Sequence, residues 1–321
     1  MSAALGAQRA PRTAEPGDFG RALLAGLAAN PRSVPPKYFY DAAGSALFDR
    51  ICALPEYYPT RTEIGILRER GADIAACVGA GAHIIEFGAG SVVKIRLLLD
   101  ALYAPAAFVP IDISGEHLHA AARSLRRDYP QLAITPVVGD FTAPLALPAL
   151  PAGARRVGFF PGSSIGNFTP CEAQHFLRQA AHLLRGGGML IGADLVKDPA
   201  ILHAAYNDAQ GVTAAFNRNL LERARRELDA EVDTAGFDHY AFYNVPQQRV
   251  EMHLVSRHRQ HITVAGQRFE FAPGSAIHTE NSYKYTLDGF RALAVAAGFR
   301  PGPVWCDANA WFSLHWLEAP G

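Results

Sequence analysis

The sequence predicts an α/β fold with a mainly parallel sheet, joined to a smaller α+β unit. Two observations predict it. Between residues 61 and 196 short apolar runs alternate with helical stretches of roughly 10–15 residues, the rhythm of right-handed βαβ crossovers. After Lys197 that rhythm gives way to two helices and four closely spaced strand-like runs, an antiparallel pattern, and the α/β rhythm resumes at Leu287. The 321 residues suffice for two such units.

Residues 1–17 are rich in Ala, Pro, Gly and Arg, lack the apolar core of a signal peptide, and read as a disordered tail. Leu23, Leu24 and Leu27 place an apolar stripe on a helix over 19–29 that Asn30-Pro31 ends. Pro35-Pro36-Lys37-Tyr38-Phe39-Tyr40-Asp41 and Leu54-Pro55-Glu56-Tyr57-Tyr58-Pro59 then flank a short helix over 44–52. This patch reads either as a proline-stiffened packing corner or as a lid, because a tyrosine gives a small amphipathic ligand apolar area and one hydroxyl. Thr60-Arg61-Thr62-Glu63 matches a capping box and opens a helix to Cys77.

His83–Phe87 is a buried strand that runs into the turn Gly88-Ala89-Gly90 and a helix reaching Tyr103. A Gly-x-Gly turn at a strand's carboxyl end lets backbone approach a nucleotide-like ligand. Val93 stands where a dinucleotide fingerprint has its third glycine, which disfavours a pyrophosphate. A strand over 107–112 ends in Asp112, followed by a helix from Ser114 to Arg127, a strand over 132–138 and a strand over 157–160. Thr169-Pro170-Cys171-Glu172 opens the next helix with a cap, a first-turn proline and a third-position glutamate. The glycines at 186–188 turn the chain into the strand Met189–Asp194. Helices over 199–209 and 212–228 and strands over 240–245, 249–256, 261–264 and 268–271 form the insertion. A helix over 287–297 and a hairpin of 304–306 with 312–317 close the sheet.

Ligands of open α/β sheets bind at the carboxyl ends of the strands. Four loops lie there: Gly88–Gly90, Asp112, Gly139-Asp140-Phe141 and the stretch from Pro161 to Phe168. Asp140 and Phe141 suit adenine, since a carboxylate accepts from its exocyclic amine and a ring packs on its face.

Composition narrows the ligand. Lys and Arg together number 30, as do Asp and Glu, so the formal charge is zero and nothing favours nucleic acid or an anionic membrane. No apolar stretch approaches the ~20 residues of a membrane span. The four cysteines are scattered, without a C-x-x-C pair, and read as reduced core thiols of a cytosolic protein. The twelve histidines include no H-E-x-x-H, and no metal is expected.

The motifs Pro-Pro-Lys-Tyr-Phe-Tyr-Asp, Pro-Glu-Tyr-Tyr-Pro-Thr-Arg-Thr-Glu, Glu-Phe-Gly-Ala-Gly-Ser-x-x-Lys, Gly-Asp-Phe, Gly-Ser-Ser-Ile-Gly-Asn, Asp-Leu-Val-Lys-Asp and Thr-Glu-Asn-Ser-Tyr-Lys-Tyr occur in this order. In them the chain, from about residue 19 to its end, resembles the L-histidine Nα-methyltransferases of ergothioneine biosynthesis, which depend on S-adenosylmethionine (SAM). The resemblance implies a Rossmann-like class I SAM methyltransferase core, here 61–196 and 287–321, and a substrate-binding domain, here 18–60 and 197–286. It implies SAM contacts at Gly88, Lys94, Asp112, Asp140 and Phe141. Tyr57, Gly162, Asn167, Tyr206, Met252, Glu280 and Ser282 would line the histidine site, and Tyr40 would be the catalytic candidate where the two ligands meet. Read from the residues alone, Met252 is a core methionine, Tyr206 is ordinary helix packing and Glu280 is a loop acid. The activity implied is threefold methylation of the histidine α-amine to hercynine by a cytoplasmic monomer. N-methylation of another amino acid such as tryptophan, and SAM binding without catalysis, are the alternatives.

Overall fold

The computed structural model describes residues 17–90, 92–143, 145–149, 151 and 153–321, so the tail expected over 1–17 lies outside the described residues except for Gly17, and Ser91 lies outside them too. The chain opens with α1 (Asp18–Ala28), a 3-10 turn (Pro36–Phe39), α2 (Ala42–Cys52) and α3 (Tyr58–Val78). There follow β1 (His83–Phe87), α4 (Val92–Ala101), β2 (Ala107–Asp112), α5 (Gly115–Asp128), β3 (Ala133–Ile134), β4 (Val137–Val138), β5 (Arg156–Phe160), α6 (Pro170–Leu183) and β6 (Gly188–Asp194). Then come α7 (Pro199–Tyr206), α8 (Val212–Leu228), β7 (Phe237–Asn244), β8 (Arg249–Ser256), β9 (Gln260–Val264), β10 (Gln267–Phe271) and β11 (Ala276–Tyr283). The last elements are α9 (Leu287–Ala296), β12 (Arg300–Cys306) and β13 (Phe312–Glu318).

The main sheet runs β12-β13-β6-β5-β1-β2-β3, with β4 also paired to β2. All pairs from β6 to β3 are parallel, and β13 joins β6 antiparallel with β12 outside it. This is the expected α/β core closed by a hairpin. All five residues of β1 are buried, as a central parallel strand covered on both faces requires. The reversal of strand order at β1 opens a crevice at the strands' carboxyl ends, between the loops that follow β1 and β5.

Four expectations are corrected. The strand over 132–138 splits into two because Pro136 has no N–H for the ladder, so β3 pairs with the start of β2 and β4 with its end. The antiparallel insertion is a three-stranded sheet, β11-β8-β7, beside a separate β9–β10 hairpin. Residues 276–283, where no element was expected and Glu280 alone reads as a loop acid, are its edge strand, which carries Glu280 and Ser282. The helix expected to start at Thr60 starts at Tyr58 with Pro59 in its first turn and no side-chain cap, so the apparent capping glutamate, Glu63, points into the core instead. The cysteines are free, as expected, yet none is fully buried and Cys171 is exposed.

One apolar cluster draws together α1, α2, α8 and β8 through Leu23, Ile51, Phe216 and Met252. Two others fill the faces of the main sheet. The insertion leaves the core after β6 and returns before α9, and its two ends lie side by side: Leu195 bridges Tyr285, and the Tyr285 N–H donates to the Asp194 carbonyl at 2.9 Å. Among the described residues no helix is long and apolar enough to cross a membrane.

Candidate active site

The turn after β1 is built for close approach. Gly88 sits at φ 76°, where a side chain is strained, and both Gly88 and Ala89 donate their N–H to the Ile111 carbonyl at 2.9 Å, which pins the turn to the end of β2. A Cβ on Gly88 would lie 3.5 Å from the Phe141 ring. That ring is one of a cluster with Phe87, Phe160, Phe168 and Phe176. Asp112 ends β2 and accepts the Ser114 N–H at 2.8 Å. Burial nevertheless raises its carboxyl above the usual range. The Asp140 carboxylate, expected to face adenine, accepts from Lys37 Nζ at 2.7 Å and from Thr142. Burial would raise Asp140, and the Lys37 and Thr142 hydrogen bonds together hold it below the ordinary range.

Lys94, on α4, reaches Glu63 at 2.6 Å, and the same carboxylate accepts the Gly162 N–H at 2.9 and 3.1 Å. Gly162, at φ 79°, brings its backbone so close that a Cβ would lie 3.4 Å from Lys94 Nζ. Glu63 thus ties the lysine of α4 to the backbone of the loop after β5. It was invisible in the sequence because a capping box explained it.

These side chains and backbones line one cavity of about 1120 Å³. Its inner end adjoins a smaller lobe of about 60 Å³ bordered by Tyr40, Tyr57, Gly162, Asn167, Tyr206, Met252, Glu280 and Ser282. The structure therefore brings together all five residues expected on the SAM side and all seven expected on the histidine side. Tyr40, Tyr57, Gly162, Asn167 and Glu280 border both spaces. Each comes from a defined position. Tyr40 follows the 3-10 turn, Tyr57 precedes α3, Gly162 and Asn167 lie in the loop after β5, and Tyr206 ends α7. The β8–β11 register sets Glu280 opposite Met252, and alternation then puts Glu280, Ser282 and Lys284 on one face.

Burial pushes the Tyr40 and Tyr57 hydroxyls well above their ordinary value, a shift that the neighbouring Glu280 and Tyr206 reinforce. Burial thus favours the protonated form of Tyr40, the catalytic candidate, in which it can orient a ligand. Glu280 is pushed up to about 7 by burial, against the opposing pull of Lys284. Its folded value thus exceeds that of the unfolded chain, so the contribution of this group to stability is present below about pH 4.5 and is lost as pH rises toward 7. Melting curves across that window should show the ligand-free Glu280→Gln variant gaining on the wild type as pH rises. Parallel curves would contradict it.

A charged network that sequence reasoning did not assign borders the same lobe through Asp194 and Lys284. Asp194, at the end of β6, binds Lys197 at 2.6 Å and Lys284 at 2.9 Å and accepts from the Tyr58 hydroxyl at 2.7 and 2.9 Å. Its own N–H donates to the Ser163 hydroxyl at 2.8 Å. Burial would raise the Asp194 carboxyl, and the two ammonium groups, Lys284 first, outweigh it and hold it below the usual range. Of the two lysines, Lys284 keeps its proton firmly, while burial lowers Lys197 to about 8. The signal was present: Asp194 and Lys197 stand in Asp-Leu-Val-Lys-Asp, and Lys284 in Thr-Glu-Asn-Ser-Tyr-Lys-Tyr.

Among the described residues one group has donor atoms close enough for a metal ion, Glu251, His253 and His278, within 4.8 Å of one another. The Glu251 carboxylate already accepts from Arg249 at 2.7 Å, Asn244 at 2.9 Å and His253 at 3.0 Å. The two imidazoles stack at 4.7 Å with planes 17° apart, so their in-plane lone pairs run side by side and do not converge. The donor set fits a hydrogen-bonded network on the outer face of the β11-β8-β7 sheet.

Residues 19–319 match the family described as "Histidine-specific methyltransferase, SAM-dependent". The chain is 44% identical over 300 residues to the histidine N-alpha-methyltransferase of Mycolicibacterium smegmatis, with 92% of each chain covered. It is 42% identical over 300 residues to that of Mycobacterium tuberculosis, again with 92% of each covered. With ergothioneine biosynthesis protein 1 of Neurospora crassa it shares 30% identity over 307 residues, 89% of this chain and 33% of that protein.

Proposed function

The chain belongs to the SAM-dependent, histidine-specific methyltransferases, and on that premise we propose that it methylates the α-amine of L-histidine three times in succession, forming Nα,Nα,Nα-trimethyl-L-histidine (hercynine) for ergothioneine biosynthesis. One observation carries the reading at the level of the site. The residues expected to hold SAM and those expected to hold histidine border adjoining spaces that share Tyr40, Tyr57, Gly162, Asn167 and Glu280.

The cradle fits the methyl donor. Gly88 leaves room for backbone contact, Asp112 is placed for ribose hydroxyls, Phe141 offers a ring face, and Lys94 a cation for a carboxylate. SAM, when bound there, supplies an electrophilic methyl group on a sulfonium sulfur. The chain's own residues have to hold the histidine amine at that point with its lone pair free. Asn167 and the neutral Tyr57 hydroxyl can hold the amino acid without adding a permanent positive charge that would repel a sulfonium. Such positioning is worth roughly 7–11 kcal/mol of the barrier. No side chain acts as nucleophile, and the amine gives up its proton to water before each attack. The sequence of transfers ends when the nitrogen has no lone pair left.

The polar wall formed by Glu280 and Ser282 weighs against tryptophan, whose indole offers one N–H and no ring acceptor for a hydroxyl to meet. We read 61–196 with 287–321 as the SAM-binding core and 18–60 with 197–286 as the substrate-binding domain, and the apolar cluster that unites α1, α2, α8 and β8 supports this. A cytoplasmic monomer acting on free histidine without a metal fits the zero formal charge and the four free cysteines.

The test is to incubate the purified protein with SAM and single amino acids and weigh the products. The expected result is histidine gaining the mass of three methyl-for-hydrogen replacements. Methylated tryptophan beside unchanged histidine would replace the substrate, and SAM binding with no turnover would replace the activity.

A further inference from the structure

The hydroxyl pair formed by Tyr206 and Ser282 is backed by a buried cation, and that fixes which way its hydrogen bonds run. Lys284 is 2% exposed. An ammonium group has three donors and no acceptor, and here all three have partners inside the protein. They are Asp194 at 2.9 Å, the Ser282 hydroxyl at 2.7 Å and the Tyr206 hydroxyl at 3.3 Å. Both hydroxyl oxygens therefore accept from Lys284. The Tyr206 hydroxyl also donates to Ser282 Oγ at 2.7 Å, which fills the second lone pair of that oxygen. Two hydroxyl hydrogens belong to the pair and one lies in the bond between them. The other has nowhere to go but the lobe that both residues border.

We propose that Lys284 is a positioning residue that makes the Tyr206–Ser282 pair a one-way donor toward the ligand, so that the pocket selects a side chain carrying a hydrogen-bond acceptor at that wall. This rests on the reading that the lobe holds the histidine ring. A neutral imidazole has one N–H and one lone-pair nitrogen. Glu280, two residues before Ser282 on the same face of β11, supplies the acceptor for the N–H, at a spacing of roughly 7 Å along the strand. The lone-pair nitrogen then meets the spare hydroxyl hydrogen. A ring that is donor-only would set its hydrogen against that of Ser282 and leave the pair unsatisfied.

The experiment compares L-histidine with the 2-pyrrolyl and 3-pyrrolyl isomers of alanine, which keep a ring N–H at one or the other position and lack the lone-pair nitrogen. It reads the ratio of kcat/KM for histidine to that for each pyrrolylalanine. The wild type should favour histidine by a factor on the order of 10⁴, the discrimination of a site built to hydrogen-bond its substrate. In Lys284→Met the Ser282 oxygen regains a lone pair and can turn to accept a ring N–H, so the ratio should fall by about tenfold or more, chiefly through KM. The fold-safe variant Ser282→Ala should lower the ratio as well, and adding Lys284→Met to it should lower it no further. Where Lys284→Met does not fold, as judged by SAM binding, the charge-balanced Asp194→Asn/Lys284→Met pair carries the same comparison. A folded Lys284 variant that loses histidine affinity with the ratio unchanged would make the lysine merely structural and overturn the inference. A wild-type protein that binds SAM and leaves histidine unmethylated fails the functional reading itself, a result separable from the first because it appears before any variant is made.

Discussion

Replacing Asp194 with alanine should destabilise the protein by about 3–5 kcal/mol, the cost of removing one partner from a buried charge group. The carboxylate is 2% exposed and is shared by two ammonium groups that are themselves 4% and 1% exposed, so the variant takes from two buried cations the carboxylate that pairs both. The Tyr58 hydroxyl loses its acceptor in the same step, whereas the bond from the residue-194 N–H to the Ser163 hydroxyl is a backbone one and stays. The melting temperature should fall by roughly 10 °C. The defect has a direction in pH. Lysines buried without a partner have depressed pKa values when folded, so the folded variant binds fewer protons than its unfolded chain and regains stability as pH rises. The gap to the wild type should therefore narrow toward about pH 9. Asp194→Asn keeps the acceptor and should lose less. A gap that stays constant with pH would mean the loss is one of packing and not of charge.

Glu63 is the second place where one carboxylate holds two elements. Glu63→Ala removes both the partner of Lys94 and the acceptor of the Gly162 N–H, in a position that is 0% exposed. Leaving such groups unpaired costs about 1–3 kcal/mol each, and because Lys94 and Gly162 border the cofactor cavity the loss should be felt in ligand binding as well as in stability. Titration calorimetry should show SAM affinity weakened by roughly 10–100-fold. Lys94→Ala should weaken SAM binding more than histidine binding, and Glu63→Gln, which keeps an acceptor for Gly162, should fall between the wild type and Glu63→Ala. Unchanged SAM affinity in Lys94→Ala would remove that residue from the site.

Elements whose signals are local were legible in the sequence. The capping box at Thr169 forms as written, with the Thr169 hydroxyl accepting from Glu172 N and the Glu172 carboxylate accepting from Thr169 N. The turn at Gly88 lies at the strand end where its glycines placed it. What was not legible depends on partners far away in the chain. Glu63 satisfies a capping pattern at residue 60, yet Lys94 and Gly162 compete for it and win, because a buried cation needs a counter-charge and the helix already begins two residues earlier, at Tyr58. Asp194 and Lys284 are 90 residues apart, and nothing in the neighbourhood of either announces the other. His278 to Ser282 is an unbroken polar run, which hides the period-two alternation that marks a strand. The motifs carry the residues that border the ligand spaces, whereas the Asp194 network joins motif residues that only the fold brings together.

The pairing of Leu195 with Tyr285 has an evolutionary corollary. The chain leaves the catalytic sheet and re-enters it at points one hydrogen bond apart, 2.9 Å between Tyr285 N and the Asp194 carbonyl. Everything between is a detour that begins and ends at the same address. A detour of that kind can be lengthened, traded or reshaped without rethreading a single strand of the sheet it departs from. The Asp194–Lys284 ion pair stands at that gate, so a lineage acquiring a new substrate module could inherit the doorway intact and rebuild only the room beyond it.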